Sequence, residues 1–314
     1  MPKDDNCNSI ADAWEEQHGV YPCAPDADDD EQPEGKCPGD GLSAYQEYRG
    51  FFVGGYHQRL NPKKKELFVY DPDGLAQQSN VADATRLEIL YPTAKECRCD
   101  GSGGDRARVV NFNAGRYHLV DQHCLWVKKD SLPYSDPFNW GLCEGGDEIG
   151  PPRTADKYVL VYADQIAEDI RYAFLNNKPE ISNTLAQRGV RADDSWMESN
   201  AREAIKMVTA HEVCHGIGVT HHYKSMRHSL PKLDDIEEAI PSGQIDPSFG
   251  QMSCFMRYIW DGSRHDRVAI GAHKELVELL CGRPWPDTLC GSGGFDDCRG
   301  QIVISDAVEG FSVN

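Results

Sequence analysis

Short apolar runs separated by turn residues occupy the middle of the chain, between residues 65 and 162. Each run has the length of a strand and is rich in β-branched and aromatic residues. Turn signals such as Asp-Pro-Asp-Gly at 71–74 lie between the runs. The pattern predicts strands at 67–70, 87–91, 108–112, 117–120, 124–127 and 158–162.

A helical period replaces this pattern after residue 162. Ile166, Ile170 and Phe174 are spaced four residues apart and predict a helix over 163–177. A second amphipathic helix is expected at 268–281, where apolar residues again recur at helical intervals.

The charge of the chain excludes several classes of partner. The 314 residues contain 32 Lys plus Arg against 51 Asp plus Glu, which gives a formal net charge of −19. A protein of this charge repels phosphate backbones and anionic membrane surfaces, so we expect no nucleic-acid partner. The longest apolar stretch, at 158–162, is far shorter than the ~20 residues that a membrane span needs.

Twelve cysteines are spread over the whole chain, and none belongs to a Cys-x-x-Cys pair. An even number of cysteines without this metal-binding spacing predicts disulfides, and hence a secreted protein in an oxidising extracellular compartment. Residues 1–5 are polar and acidic, unlike a signal peptide, so this expectation rests on the cysteines alone.

The residues that carry chemistry are concentrated between 195 and 222. Ser195 and Glu198 fit a capping box, so we expect a helix to begin there and to run into His211. His215 follows His211 by four residues, about one helical turn. Both imidazoles therefore leave the same face of the helix and can bind one metal ion.

Three further positions complete a longer motif. Glu212 lies beside the two histidines, close enough to contact a metal-bound water without being a ligand. Gly218 permits a sharp turn that brings His221 back towards the same ion. The full His-Glu-x-x-His-x-x-Gly-x-x-His string at 211–221 resembles the signature of the metzincin clan of zinc metallopeptidases.

Metzincins also have a Met-turn, in which a methionine lies beneath the metal site. Ser-Cys-Phe-Met-Arg-Tyr at 253–258 resembles this turn. The resemblance implies that Met256 forms an apolar floor under the histidines and that Tyr258 reaches the zinc or the oxyanion. Met226 is a second candidate for the Met-turn, but it follows His221 by only five residues.

The resemblance implies an α/β (α+β) fold in which a twisted mixed sheet and an active-site helix precede a C-terminal subdomain with the Met-turn and a helix. The expected divisions are a loop-rich segment at 1–60, which is part of the catalytic domain or a pro-segment, a catalytic subdomain at 61–221, and a C-terminal subdomain at 222–314. The segment at 75–87 is a candidate for the helix that backs the sheet, because the helix at 163–177 lies too close to the active-site helix in the chain.

The function that the resemblance implies is that of a zinc-dependent endopeptidase with one catalytic Zn²⁺ ion and a protein or peptide substrate. His211, His215 and His221 would hold the ion, which activates a water molecule. Glu212 would act as the general base, and Tyr258 would stabilise the oxyanion.

Several alternatives stay open. A gluzincin-like zinc hydrolase would take its third ligand from the downstream carboxylates of Asp234, Asp235, Glu237 and Glu238. A non-catalytic binding module would use zinc for stability alone, with His222 as a fourth ligand. Cys214 should point away from His215, as a buried thiol or half of a disulfide. The Gly-Ser-Gly-Gly loops at 101–104 and 291–294 are candidates for a Ca²⁺ site.

Overall fold

The chain folds into a mixed α/β structure with a mixed sheet and several helices, as seen in a computed structural model. The predicted class, α/β (α+β), is therefore confirmed. The residues that the structure describes are 2–25, 39–97, 110, 122–130, 140–143, 158–219, 254, 256, 276–277, 279–289, 298–299, 302 and 304.

The described elements fall into three groups along the chain. The first contains short helices and a hairpin, namely α1 (Asp12–His18), α2 (Ala44–Arg49), β1 (Phe51–Val53) and β2 (Tyr56–Gln58). The second contains the sheet and two short helices, namely β3 (Glu66–Tyr70), α3 (Leu75–Gln78), α4 (Val81–Thr85), β4 (Glu88–Leu90), β5 (Leu125–Lys129), β6 (Gly141–Cys143) and β7 (Tyr158–Val161). The third contains longer helices, namely α5 (Ala163–Asn176), α6 (Lys178–Gln187) and α7 (Asp194–Gly216).

The described strands of the second group form one sheet in the order β4-β3-β5-β7-β6. Neighbouring strands from β4 to β7 pair in parallel, whereas β6 runs antiparallel along β7, with Gly141 opposite Val161 and Cys143 opposite Val159. A mixed sheet of this kind therefore has one antiparallel strand at an edge.

Alternating side chains along the strands separate two apolar layers. On one face Val69, Val127 and Val161 belong to the main core, together with apolar residues of α5 and α7. On the other face Phe68 packs in a second cluster with Phe51, and their ring centroids are 5.0 Å apart. The sheet thus has helices on one face and the N-terminal hairpin region on the other.

Helix α5 forms where apolar residues recur at helical intervals. Ile166, Ile170 and Phe174 are all buried on one side of α5, which confirms the helix predicted from their spacing. Helix α7 packs on β5, β6 and β7 of the sheet, and α5 packs on α7. The buried residues of α5 belong to the same core cluster as those of the strands. The segment predicted as a backing helix at 75–87 forms α3 and α4, which also contact α7. None of the described helices is long and apolar enough to cross a membrane.

Four predicted strands are confirmed to within two residues at their ends, namely 67–70, 87–91, 124–127 and 158–162. Those at 108–112 and 117–120 lie outside the described residues, apart from Val110. Of the helix predicted at 268–281, residues 276, 277, 279 and 280 are described and are helical. Helices α1 and α2 in the segment expected to be loop-rich, the hairpin, β6 and α6 are elements that the sequence pattern did not predict.

A buried pair of acidic side chains joins the N-terminal region to the sheet. Asp40 and Glu66 are both about 1% exposed, and a carboxylate oxygen of Asp40 accepts a hydrogen bond from the Glu66 backbone nitrogen at 2.8 Å. Burial raises the pKa of Glu66 well above its ordinary value of 4.5, and the charge of Asp40 and a hydrogen bond between the two side chains raise it further. The Glu66 side chain is therefore protonated at neutral pH.

We predict that Glu66→Gln stabilises the protein at neutral and alkaline pH. Below pH 4.5 Glu66 is protonated in both the native and the unfolded chain. Above that pH only the unfolded chain releases the proton, so the free energy of unfolding falls as pH rises. Glutamine keeps a donor for Asp40 but does not titrate. The melting temperature of the variant should exceed that of the wild type by an amount that grows between pH 4 and pH 8.

Glu88→Gln is the control for the loss of one carboxylate, because Glu88 lies opposite Glu66 on the neighbouring strand and its side chain is 39% exposed. A gain in melting temperature for Glu66→Gln that is the same at both pH values would contradict the assignment.

Candidate metal centre

Helix α7 carries His211 and His215 of the predicted motif and begins earlier than predicted. Asp193 is its N-cap and accepts a hydrogen bond from the backbone nitrogen of Trp196 at 3.1 Å. The capping box predicted for Ser195 and Glu198 is therefore wrong. Asp193 occupies the N-cap position because its carboxylate accepts the hydrogen bond and lies at the positive end of the helix dipole.

The carboxyl end of α7 is a Schellman turn. The backbone nitrogen of Val219 donates to the carbonyl of Cys214 at 2.9 Å, and that of Gly218 donates to the carbonyl of His215 at 3.1 Å. Gly218 has φ = 90°, which a residue with a side chain rarely adopts. The expectation that Gly218 makes the turn is confirmed.

The last turn of α7 lies very close to the sheet. A Cβ atom placed on Gly216 would lie 2.9 Å from Cδ1 of Leu125, which is fully buried in β5. This distance is shorter than carbon atoms tolerate. Glycine at position 216 therefore allows the histidine-bearing turn to pack directly on the sheet.

His211 and His215 face each other on this last part of the helix. Their Nε2 atoms are 3.1 Å apart, and the rings are nearly perpendicular, at 89°. His215 is buried, whereas His211 is partly exposed. The spacing of four residues thus brings the two nitrogens together, as predicted.

The Schellman turn also fixes the proton of His215. Its Nδ1 atom lies 2.8 Å from the carbonyl oxygen of Val219. A carbonyl oxygen only accepts, so Nδ1 carries a proton, and in the neutral form of the ring Nε2 presents its lone pair. A backbone or carboxylate acceptor on the other ring nitrogen is the usual environment of a metal-binding histidine.

The pair fits a zinc ion. With Zn–N bonds of about 2.0–2.1 Å, two nitrogens 3.1 Å apart subtend an angle of about 95–102° at the metal, close to the tetrahedral range. No third His, Cys, Asp or Glu joins them within the part of the chain that the structure describes. The proposed third ligand, His221, lies outside that part. So do the alternative ligands His222, Asp234, Asp235, Glu237 and Glu238, and the two candidate calcium loops.

The side chain of Glu212 fills the space between its own helix, α7, and the edge strand β6. The side chain is 8% exposed, and a Cβ atom on Gly141 would lie 2.7 Å from its Cγ and 2.9 Å from its Oε1. The carboxylate therefore lies against the backbone of β6, in space that exists because residue 141 has no side chain.

The start of β6 is held by a hydrogen bond to α5. The indole Nε1 of Trp140 donates to Asp169 at 2.7 Å, and the side chain of Gln165 donates to the other oxygen of Asp169 at 2.7 Å. Burial raises the pKa of Asp169, although both hydrogen bonds oppose this shift. Sequence reasoning missed Trp140, Gly141 and Asp169, because nothing in their spacing reveals that they meet.

Met256 is fully buried in the core cluster that contains Val213 and Ile217 of α7 and its C-cap. The structure describes no neighbour of Met256 in the chain closer than Cys254, so its place beneath the histidines stays a prediction. Tyr258 and Met226 lie outside the described residues.

Cys214 is fully buried, as expected for a residue that points away from the histidine face. Burial raises the pKa of its thiol, and the nearby Cys254 raises it further. No two described cysteines lie at the distance of a disulfide bond, and the general prediction of disulfides stays a prediction.

Comparison of the chain with models of protein families, with curated proteins and with solved structures finds no match.

Proposed function

We propose that the protein is a zinc-dependent endopeptidase of the metzincin kind. The observation that carries the proposal is the pair of imidazole nitrogens 3.1 Å apart, one of them held in the metal-binding tautomer by the carbonyl of Val219. His211, His215 and His221 are the proposed ligands. The mixed sheet behind α7 and the burial of Met256 support the same proposal.

Each residue of the site has a chemical role in this proposal. A zinc ion supplies Lewis acidity and lowers the pKa of a bound water towards ~7. Glu212 takes the proton of the attacking water and delivers it to the nitrogen of the leaving amine. The phenol of Tyr258 donates a hydrogen bond to the developing oxyanion.

The position of Glu212 favours an enzyme over a zinc site that serves stability alone. A structural site has four protein ligands and no use for a base. Here Glu212 directly follows His211 in the helix, and its buried side chain lies against β6. The proposed substrate is a protein or peptide, and the proposed location is extracellular.

We predict that Glu212→Gln retains zinc and loses peptidase activity by roughly 10²–10⁴-fold, the usual worth of general acid–base catalysis. Glutamine preserves the shape of the side chain but cannot accept the proton. Zinc content and cleavage of casein are measured on the same preparation. Glu203→Gln is the matched control, because Glu203 lies on the same helix and pairs with Lys206.

A zinc-loaded wild-type protein that cleaves no peptide would refute the proposal that the protein is a peptidase. Equal activity in Glu212→Gln and Glu203→Gln would refute the role of Glu212.

His221→Ala distinguishes a metzincin from a gluzincin-like site. We predict that the variant loses zinc, because a two-histidine site is incomplete. Retention of one zinc ion per chain, measured by elemental analysis after dialysis, would show that a carboxylate downstream supplies the third ligand instead.

Gly141→Ala should lower activity while zinc stays bound. The added methyl group overlaps the side chains of Glu212 and Val208, which are its nearest neighbours, and displaces the carboxylate. We expect a fall in kcat of about 10²-fold, since small misplacement of a catalytic group has effects of that size. Leu142→Ala is the control on the same strand, because Leu142 is 40% exposed. Similar kcat values for the two variants would contradict the assignment.

A further inference from the structure

We propose that Cys254 and Cys298 are joined by a disulfide that fastens the segment carrying Met256 to the C-terminal part of the chain. The proposal concerns one pair among the twelve cysteines and does not depend on zinc or on peptidase activity.

The geometry of the two thiols carries the proposal. Their Sγ atoms are 3.9 Å apart, and both residues are fully buried. A disulfide needs sulfur atoms about 2.05 Å apart, so the two must approach by roughly 2 Å. Rotation of one side chain between rotamers moves a sulfur atom by at least this distance.

The backbones around the two cysteines are held in place by contacts other than the thiols. Cys254 forms a β-bridge with Thr288. Next to Cys298, the Arg299 side chain donates to the carbonyl of Ala84 at 2.8 Å, and Ile302 is buried in the same core cluster as both cysteines. These contacts fix the two backbone segments on either side of the sulfur pair.

Among the cysteines that the structure describes, Cys214 is a competing partner, because it is fully buried in the same cluster. The sulfur of Cys298 contacts that of Cys254 at 3.9 Å, and Cys254 also lies near enough to Cys214 to raise the pKa of that thiol. The geometry therefore favours the pair Cys254–Cys298 and leaves Cys214 as a thiol on the histidine helix.

The two thiols are oxidised in two successive thiol–disulfide exchange steps. The thiolate of one cysteine attacks a small-molecule disulfide such as oxidised glutathione, which releases one reduced thiol and leaves a mixed disulfide. The thiolate of the second cysteine attacks the protein sulfur of that mixed disulfide and releases the second thiol. Two protein thiols are oxidised and one disulfide is reduced. Because both sulfurs are buried in the native protein, exchange takes place during folding.

Mapping by mass spectrometry tests the pair directly. The full chain is refolded in a mixture of reduced and oxidised glutathione, denatured without reductant, alkylated and digested. We expect a cross-linked peptide that contains Cys254 and Cys298 and disappears on reduction. Alkylation of both residues, or a cross-link from Cys254 to Cys214 or any other cysteine, would overturn the proposal.

Variants provide a second measurement. The bond would close a loop across the 44 positions that separate the two cysteines, so its loss should lower the melting temperature by about 5–10 °C. Cys254→Ala, Cys298→Ala and the double variant should be lowered by similar amounts, because each loses the same bond. Cys214→Ala is the control for removing a buried sulfur and should keep the cross-linked peptide. Additive effects of the two single changes would contradict a shared bond.

Discussion

The close contact between the last turn of α7 and strand β5 is the constraint on which the site depends. Gly216 lies so near Leu125 that a methyl group would not fit between helix and sheet. The helix ends at this contact, and Gly218 with its positive φ makes the turn that follows. The same turn places the carbonyl of Val219 against His215. The packing of the end of α7 on the core thus determines the orientation of the His215 ring.

The arrangement also explains why the acidic residue next to the histidines tolerates burial. Glu212 lies at the junction of α7 and β6, where the strand offers backbone and the glycine at its start offers space. Burial of a carboxylate is costly unless polar groups or a positive charge face it. A cation held by the neighbouring histidines would supply that charge.

The parts of the structure that sequence could predict are those that local geometry determines. The strands at 66–70 and 125–129, helix α5 and the pairing of His211 with His215 follow from spacing along one element. Helix α6 has a signal that was overlooked, since Pro179 occupies its first turn.

Other parts depend on contacts between distant residues. Strand β6 is three residues long and has no period to detect, and it exists because β7 pairs with it. Two further features also depend on tertiary contacts. They are the burial of protonated Glu66 beside Asp40 and the contact of Gly141 with the side chain of Glu212. The cap at Asp193 was missed for a different reason, because Asp193 and Ser195 are both common N-cap residue types and only Ser195 was considered.

The bond from Trp140 to Asp169 has a consequence for how the edge of the sheet meets a ligand. Terminal strands are usually the first parts of a sheet to fray, because they have a neighbour on one side only. Here the residue before β6 is fastened to a helix by a 2.7 Å hydrogen bond, while the strand itself pairs with β7. A molecule that binds next to Glu212 therefore contacts a strand, β6, that is already ordered. Less conformational entropy is lost on contact, and more of the interaction energy remains for holding the molecule in one orientation.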